Sequence, residues 1–395
     1  MRGTPVNAQE PIYLDYAATS PADPRVAAAM GECLTREGVF GNPSSMHQHG
    51  RLARARVEHA RAQAAALINA PPQQLVWTSG ATESNNLAIL GSARAAAKRG
   101  RHPGRHLVTA RTEHKSVLDP CRRLEHEGFQ VSYLDTDHQG LIAPQLVREA
   151  LRDDTVLVSI MHANNEIGVL QDIEAIAAIC HERAVPLHVD AAQSAGKVAL
   201  DVERLQCDLL SFTAHKLYGP KGIGALYFAP ARRASLQPLV FGGGHERGLR
   251  SGTLAVHQIV GFGLACELAA AAWRADAEHC ERLRARLWQG LNAIGGVLLN
   301  GHPTQRVPGI LNVSFTGIEG ESLLMGLTEL SLSTGSACSS DSDEPSYVLR
   351  ALGRDTELAQ SALRFSLGRY SSEQDIDLAI AAVTREVRRL RAAAP

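Results

Sequence analysis

The sequence has no run of about 18 consecutive apolar residues, so no membrane span is read from it. Its opening stretch, Met1 to Glu10, has no apolar h-region, so no secretory signal is read either. No long basic run occurs, and the formal net charge is −1. That balance argues against a protein that holds nucleic acid or a membrane surface by charge. The 7 cysteines stand at 33, 121, 180, 207, 266, 280 and 338, and no two share a C-x-x-C spacing. A zinc ribbon is therefore not expected. With an odd number of cysteines and no signal, a reducing cytoplasm is the simplest compartment, and it leaves room for a thiol kept for its reactivity. His47-Gln48-His49 is an H-x-H pair with no third ligand, so no metal site is assigned. The glycine run Phe241 to Gly248 follows no clear strand and lacks the acidic residue of a dinucleotide fingerprint.

What is present fits an enzyme-sized globular chain. Of 395 residues, 45% are hydrophobic and 21% charged, enough for two or three domains and a large core without metal or disulfide support. Apolar strand candidates fall at 75–78, 106–110, 131–134, 155–161, 185–190, 207–213 and 223–228. Helical patterns near 51–69, 82–98, 115–127, 144–152 and 172–183 lie between them. This alternation predicts an α/β fold with a mostly parallel central sheet and helices on both faces. Ligands of such sheets bind at the carboxyl ends of the strands. After about residue 255 the pattern changes to a long helix running to about 293, strands at 309–315 and 361–367, and a last helix. That helix begins near Ser371, with Gln374 as the partner in a capping box. We expect a large domain over 21–262 and a smaller α+β domain from 1–20 and 263–395.

Three segments carry matching chemistry. Ser211-Phe212-Thr213-Ala214-His215-Lys216 ends a strand on a lysine, Val185 to Asp190 ends one on an aspartate, and Leu75 to Thr78 runs through Ser79-Gly80-Ala81-Thr82 into a helix. A pyridoxal phosphate site needs such parts: a Schiff-base lysine, a carboxylate at the pyridine nitrogen, and free helix N–H groups for the phosphate. Lys221, in the Gly219-Pro220-Lys221-Gly222 turn, is the rival lysine, and it reads as a loop residue. Asp190 reads equally well as a helix N-cap. Gln193 is close enough in sequence to bond the ring hydroxyl oxygen. His114, just past a strand, could stack on the ring and move protons. Arg364 interrupts an apolar strand and wants a carboxylate, either in a structural ion pair or on an amino-acid substrate. Cys338 sits among small residues in Ser333 to Ser340, followed by the acidic Asp341, Asp343 and Glu344. That composition makes an exposed loop, and a mobile thiol suggests sulfur transfer.

Together these segments resemble the cysteine desulfurases of the iron–sulfur cluster assembly type (NifS/IscS-like), within the class-V aminotransferases. The resemblance runs from Tyr13-Leu14-Asp15-Tyr16 to about Leu390. It includes Gly41-Asn42-Pro43-Ser44-Ser45, Thr112-Glu113-His114-Lys115, His162-Ala163-Asn164-Asn165-Glu166, His188-Val189-Asp190-Ala191-Ala192-Gln193, His215 to Gly222, Arg250-Ser251-Gly252-Thr253 and Gly335-Ser336-Ala337-Cys338. It implies a homodimer of fold-type I pyridoxal phosphate enzymes that converts L-cysteine to L-alanine. Lys216 would carry the cofactor, Asp190 pair with the pyridine nitrogen, Gln193 contact the ring oxygen and His114 stack on the ring. Ala81, Thr82, Thr213 and His215 would hold the phosphate, with Thr253 reaching in from the other subunit. Asn165 and Arg364 would bind the substrate carboxylate. Cys338 would take the sulfur as a persulfide and pass it to an acceptor protein such as an iron–sulfur scaffold. Relatives often dock that scaffold through a C-terminal extension. This chain stops at Arg391-Ala392-Ala393-Ala394-Pro395, so either scaffold docking is not expected or it uses another surface. A selenocysteine lyase and a non-catalytic sulfur relay remain open alternatives.

Overall fold

The computed structural model describes residues 10–98, 104–229, 234–334 and 344–393. Its main sheet has seven strands: β1 (Leu75–Thr78), β2 (His106–Ala110), β3 (Gln130–Leu134), β4 (Thr155–Met161), β5 (Leu187–Asp190), β6 (Leu209–Thr213) and β7 (Gly224–Phe228). They lie in the order β1-β7-β6-β5-β4-β2-β3. The run from β6 to β3 is parallel, while β7 is antiparallel to both of its neighbours. The reason is the link between β6 and β7. Residues 214–223 hold only one short helical turn, too little chain for the crossover a parallel partner requires. Strands β1, β2, β5, β6 and β7 are buried throughout their length, as expected where helices cover both faces.

The covering helices are α1 (Gln48–Leu67), α2 (Ala81–Ala97), α3 (Lys115–His126) and α4 (Ile173–Glu182). A long helix, α5 (Val256–Asn292), follows and packs along α1. By length and composition α5 is apolar enough to cross a membrane, although polar residues interrupt its apolar run. Half of its most apolar window is buried inside the protein, so it reads as a core helix. Its first part, through Cys266, joins the core around the main sheet. Its second part, from Cys280 to Leu291, joins a separate core. That second core lies against an antiparallel sheet of β8 (Val297–Asn300), β9 (Ile310–Phe315), β10 (Ser333–Thr334) and β11 (Ala362–Ser366), ordered β10-β11-β9-β8. The last helix, α6 (Glu373–Ala393), packs on it. Ile12–Tyr13 adds to this part of the molecule by pairing with Leu330–Ser331.

Two expectations shift. The last helix is capped one residue later than the sequence suggests: Ser372 N donates to Asp375 Oδ2 at 2.8 Å, and Asp375 N donates to Ser372 Oγ at 3.1 Å. Ser371 instead accepts from Gly368 N. Strand β6 stops at Thr213, so Lys216 sits in the following turn rather than at the strand's last position.

Two buried histidines make stability depend on pH. In the middle of the main sheet, His188 lies between Ser159 Oγ (2.8 Å) and Ser211 Oγ (2.9 Å). Burial pushes His162 and His188 down to about 4. The unfolded chain binds these protons near pH 6.5, so stability falls as pH drops from there toward 4, by roughly 3 kcal/mol for each histidine. Glu166 opposes this, because burial pushes it up to about 7 and the folded state gains its proton first. Glu113, also buried, is raised well above its usual value and opposes it too, so the histidine contribution is read by comparison with a variant. Between pH 6.5 and 4.5 the wild-type urea midpoint should fall relative to that of His188→Gln; a constant difference between the two proteins would contradict the assignment.

Candidate active site

The carboxyl ends of β1, β5 and β6 meet at one edge of the sheet. A cavity of about 540 Å3 opens there. Ala81, Thr82, His114, Asn165, Asp190, Gln193, Thr213, His215, Lys216 and Arg364 all line it, joined by Ser79, Gly80 and Glu83. Thr253 is exposed and does not line the cavity of its own chain. Cys338 lies outside the described residues.

Helix α2 begins at this cavity with Gly80 as its N-cap and no side chain capping it. Ser84 N already bonds Gly80 O at 3.1 Å, which leaves the N–H groups of the first turn for an anion. Glu83 turns back to accept from Ser79 N at 2.7 Å and is itself paired with Arg250 at 2.9 Å, so its charge is offset close to the helix start. Gly224 of β7 makes the tight junction possible: a Cβ there would stand 2.6 Å from Gly80 Cα. The Thr213 hydroxyl donates to Ile223 O at 3.1 Å, so toward a phosphate it would have to rotate.

Asp190 lines the cavity and closes the turn that follows it, where no helix forms for it to cap. One oxygen accepts from Ala192 N at 2.9 Å, fixing the turn that follows, and the other accepts from Asn85 Nδ2 at 2.8 Å. The same Asn85 nitrogen donates to Ser116 Oγ at 2.8 Å, and Ser116 Oγ lies 2.8 Å from His114 Nδ1. Ser116 N also donates to His114 Nδ1, at 3.1 Å. Nδ1 is thus an acceptor and the ring proton sits on Nε2. Burial lowers the His114 pKa, with Asp190 pulling it up and Lys216 pushing it down. His114 is therefore held as a neutral ring that can give a proton from Nε2. This chain from His114 to Asp190 depends on Asn85 and Ser116, which sequence reading missed. Asn85 lies one turn into α2 and Ser116 two residues past His114, positions where a polar residue reads as ordinary helix surface.

Arg364 forms the structural ion pair that its place in the strand called for. Its Nη2 bonds Asp15 Oδ1 at 2.8 Å and its Nη1 bonds the Asn165 carbonyl at 3.0 Å. Its Nε and the Asn165 side-chain oxygen are buried without a hydrogen-bond partner among the described residues. A buried guanidinium N–H left open at a cavity wall suits an added carboxylate. Asn164, by contrast, is structural: its side chain accepts from Glu166 N and Ile167 N and donates to Thr112 O. Lys221, set aside as a loop residue, also lines the cavity but is exposed at its rim.

The chain belongs to the class-V aminotransferase family, whose pattern matches residues 12–378. Within that family its similarity is to the cysteine desulfurases. It is 54% identical over 386 residues to cysteine desulfurase IscS of Shewanella piezotolerans, covering 98% of this chain and 95% of that protein. Among solved structures, a NifS-like protein superposes with a TM-score of 0.89 at 35% identity, over 96% of this chain and all of the other. A structure titled SspA in complex with cysteine superposes with a TM-score of 0.79 at 37% identity, over 91% of this chain and 99% of that one.

Proposed function

We propose that this cavity binds pyridoxal 5'-phosphate and that the protein removes sulfur from L-cysteine, leaving L-alanine and a persulfide on Cys338. One observation carries the reading: Lys216, Asp190, an uncapped helix N-terminus and an arginine with an open N–H border the same cavity. The residues fit the cofactor. Lys216 would hold its aldehyde carbon, Asp190 would keep a proton on its ring nitrogen, and Gln193 would face its ring oxygen. The first turn of α2, with Thr82, Thr213 and His215, would take its phosphate. When bound, the group supplies an electron sink that makes the substrate Cα proton removable.

The chain's own residues do the rest. The Arg364 Nε–H and the Asn165 side chain bind the α-carboxylate and orient the amino acid. Lys216 Nζ takes the proton from Cα, and the Nε2–H of His114 is placed to give one back. The Cys338 thiolate attacks the substrate sulfur; a sulfur–sulfur bond forms as the Cβ–S bond breaks. The balance is a thiol plus cysteine going to a persulfide plus alanine, with no outside oxidant or reductant. Thr253 completes the phosphate site of a second copy in a homodimer. The persulfide passes to a protein acceptor of the iron–sulfur scaffold kind in the cytoplasm. The large part of the chain, 21–262, holds the cofactor, and the smaller part carries the cysteine.

Steady-state L-alanine release from L-cysteine with excess thiol reductant tests the reading. The wild-type protein should form alanine and sulfide in equal amounts. Arg364→Leu should raise KM roughly 30-fold or more, about 2 kcal/mol for a lost buried charge-assisted contact. Arg364→Lys should recover part of it. No alanine from the wild-type protein would overturn the proposal.

A further inference from the structure

Lys216 borders two cavities. Besides the large one, it lines a second of about 40 Å3 that reaches Asp276 and Cys280 of α5. Ala17 also borders both. Between the cavities runs a short hydrogen-bonded partition. Lys197 Nζ donates to Gln193 Oε1 at 2.9 Å, and Gln193 Nε2 donates to Ala17 O at 2.8 Å. Gln193 faces the large cavity and Lys197 the small one. Gly196 sets the turn that delivers Lys197: its φ is +71°, and a Cβ there would come within 3.1 Å of Ala269 Cβ on α5.

A largely desolvated ammonium usually has a carboxylate beside it, because burying an unpaired charge is costly. Lys197 is held by a neutral amide oxygen instead, and among the described residues no carboxylate is paired with it. The groups around it do not offset its charge. Asp276 is paired with Arg369 at 2.8 Å, and Arg364 with Asp15 at 2.8 Å. Burial pushes the Cys280 thiol up to about 11 and the Tyr16 hydroxyl up to about 12, so both are neutral at pH 7; Tyr218 is raised as well. Burial, and then the charge of Lys216, push Lys197 itself down to about 7.

We propose that Lys197 is a positioning residue for the reaction: anchored to Gln193 in the wall between the two cavities, it places a second cation beside Lys216 and lowers the proton affinity of the Lys216 nitrogen. The proposal rests on the cofactor reading above. A like charge nearby disfavours the protonated form of a nitrogen, and Gln193 keeps its orientation through Ala17 if Lys197 is neutralised.

The experiment loads the full-length protein with pyridoxal phosphate and follows its visible absorbance against pH. Lys197→Met should raise the midpoint of that titration by about half to one pH unit. Lys197→Arg, which keeps the charge, should leave it near the wild-type value. Lys197→Gln serves as a second neutral variant if the methionine protein fails to fold, with thermal melting as the check. A midpoint unmoved in the neutral variants overturns the proposal. An equal shift in Lys197→Arg also overturns it, because packing alone would then account for the effect. Failure of the cofactor reading looks different: wild-type protein would gain no absorbance on loading, or Lys216→Ala would keep the same titrating band.

Discussion

Replacing Lys216 with alanine should lower L-alanine formation by at least about 10^3-fold, the loss expected when one group serves as both covalent anchor and general base. The fold should tolerate the change. Lys216 is partly exposed at the cavity wall, in a turn held by backbone contacts: Leu217 N and Gly219 N both donate to Ala214 O at 3.0 Å. Melting of the unloaded protein should therefore shift little, while the pH-dependent absorbance of the lysine-linked cofactor disappears. Lys221→Ala is the control. It sits at the exposed rim of the same cavity, and its loss should cost less than about 10-fold, as for a rim charge. If Lys221→Ala were the inactive variant, the lysine assignment would be reversed.

Cys338→Ser should abolish persulfide formation and lower alanine release by at least about 10^2-fold. A serine hydroxyl is far less acidic than a thiol and cannot form the sulfur–sulfur bond. An ordinary thiol, with a pKa near 8.5, is only about 3% thiolate at pH 7. Asp341, Asp343 and Glu344, sequence neighbours of Cys338, carry charge of the sign that does not favour a thiolate. Wild-type turnover should therefore rise with pH until the thiol is ionised. Mass spectrometry of the protein after one turnover should find an added sulfur on Cys338, and none in the serine variant. Equal alanine release by both proteins would make Cys338 dispensable and point to direct release of the sulfur as sulfide.

Much of this architecture is legible in the sequence. Alternating apolar strands and amphipathic helices announce an α/β sheet, because strands buried on both faces must be apolar almost throughout. Polar residues closing such strands, as in Asp190 and the Lys216 turn, stand out for the same reason. What stayed hidden depends on long-range pairing. The direction of β7 is an exception: the short link between the strands expected at 207–213 and 223–228 already rules out a parallel crossover. The Arg364 partner Asp15 lies near the opposite end of the chain, and the Asn85–Ser116–His114 chain joins two helices. The strand Val297–Asn300 and the helices Gly320–Gly326, Tyr347–Ala351 and Thr356–Gln360 are too short to establish a periodicity. Nothing in the sequence marks Lys197, since sequence does not say what lies on the other side of a turn.

Helix α5 has a consequence for how the molecule comes apart. Because one continuous helix supplies side chains to both hydrophobic cores, neither core can melt while the other keeps its full complement. Unfolding either end strips the shared segment of its partners and weakens the other end. Such coupling joins the two halves into one cooperative unit, in which slow amide exchange would extend along the helix from Val256 to Leu291 without a break in the middle.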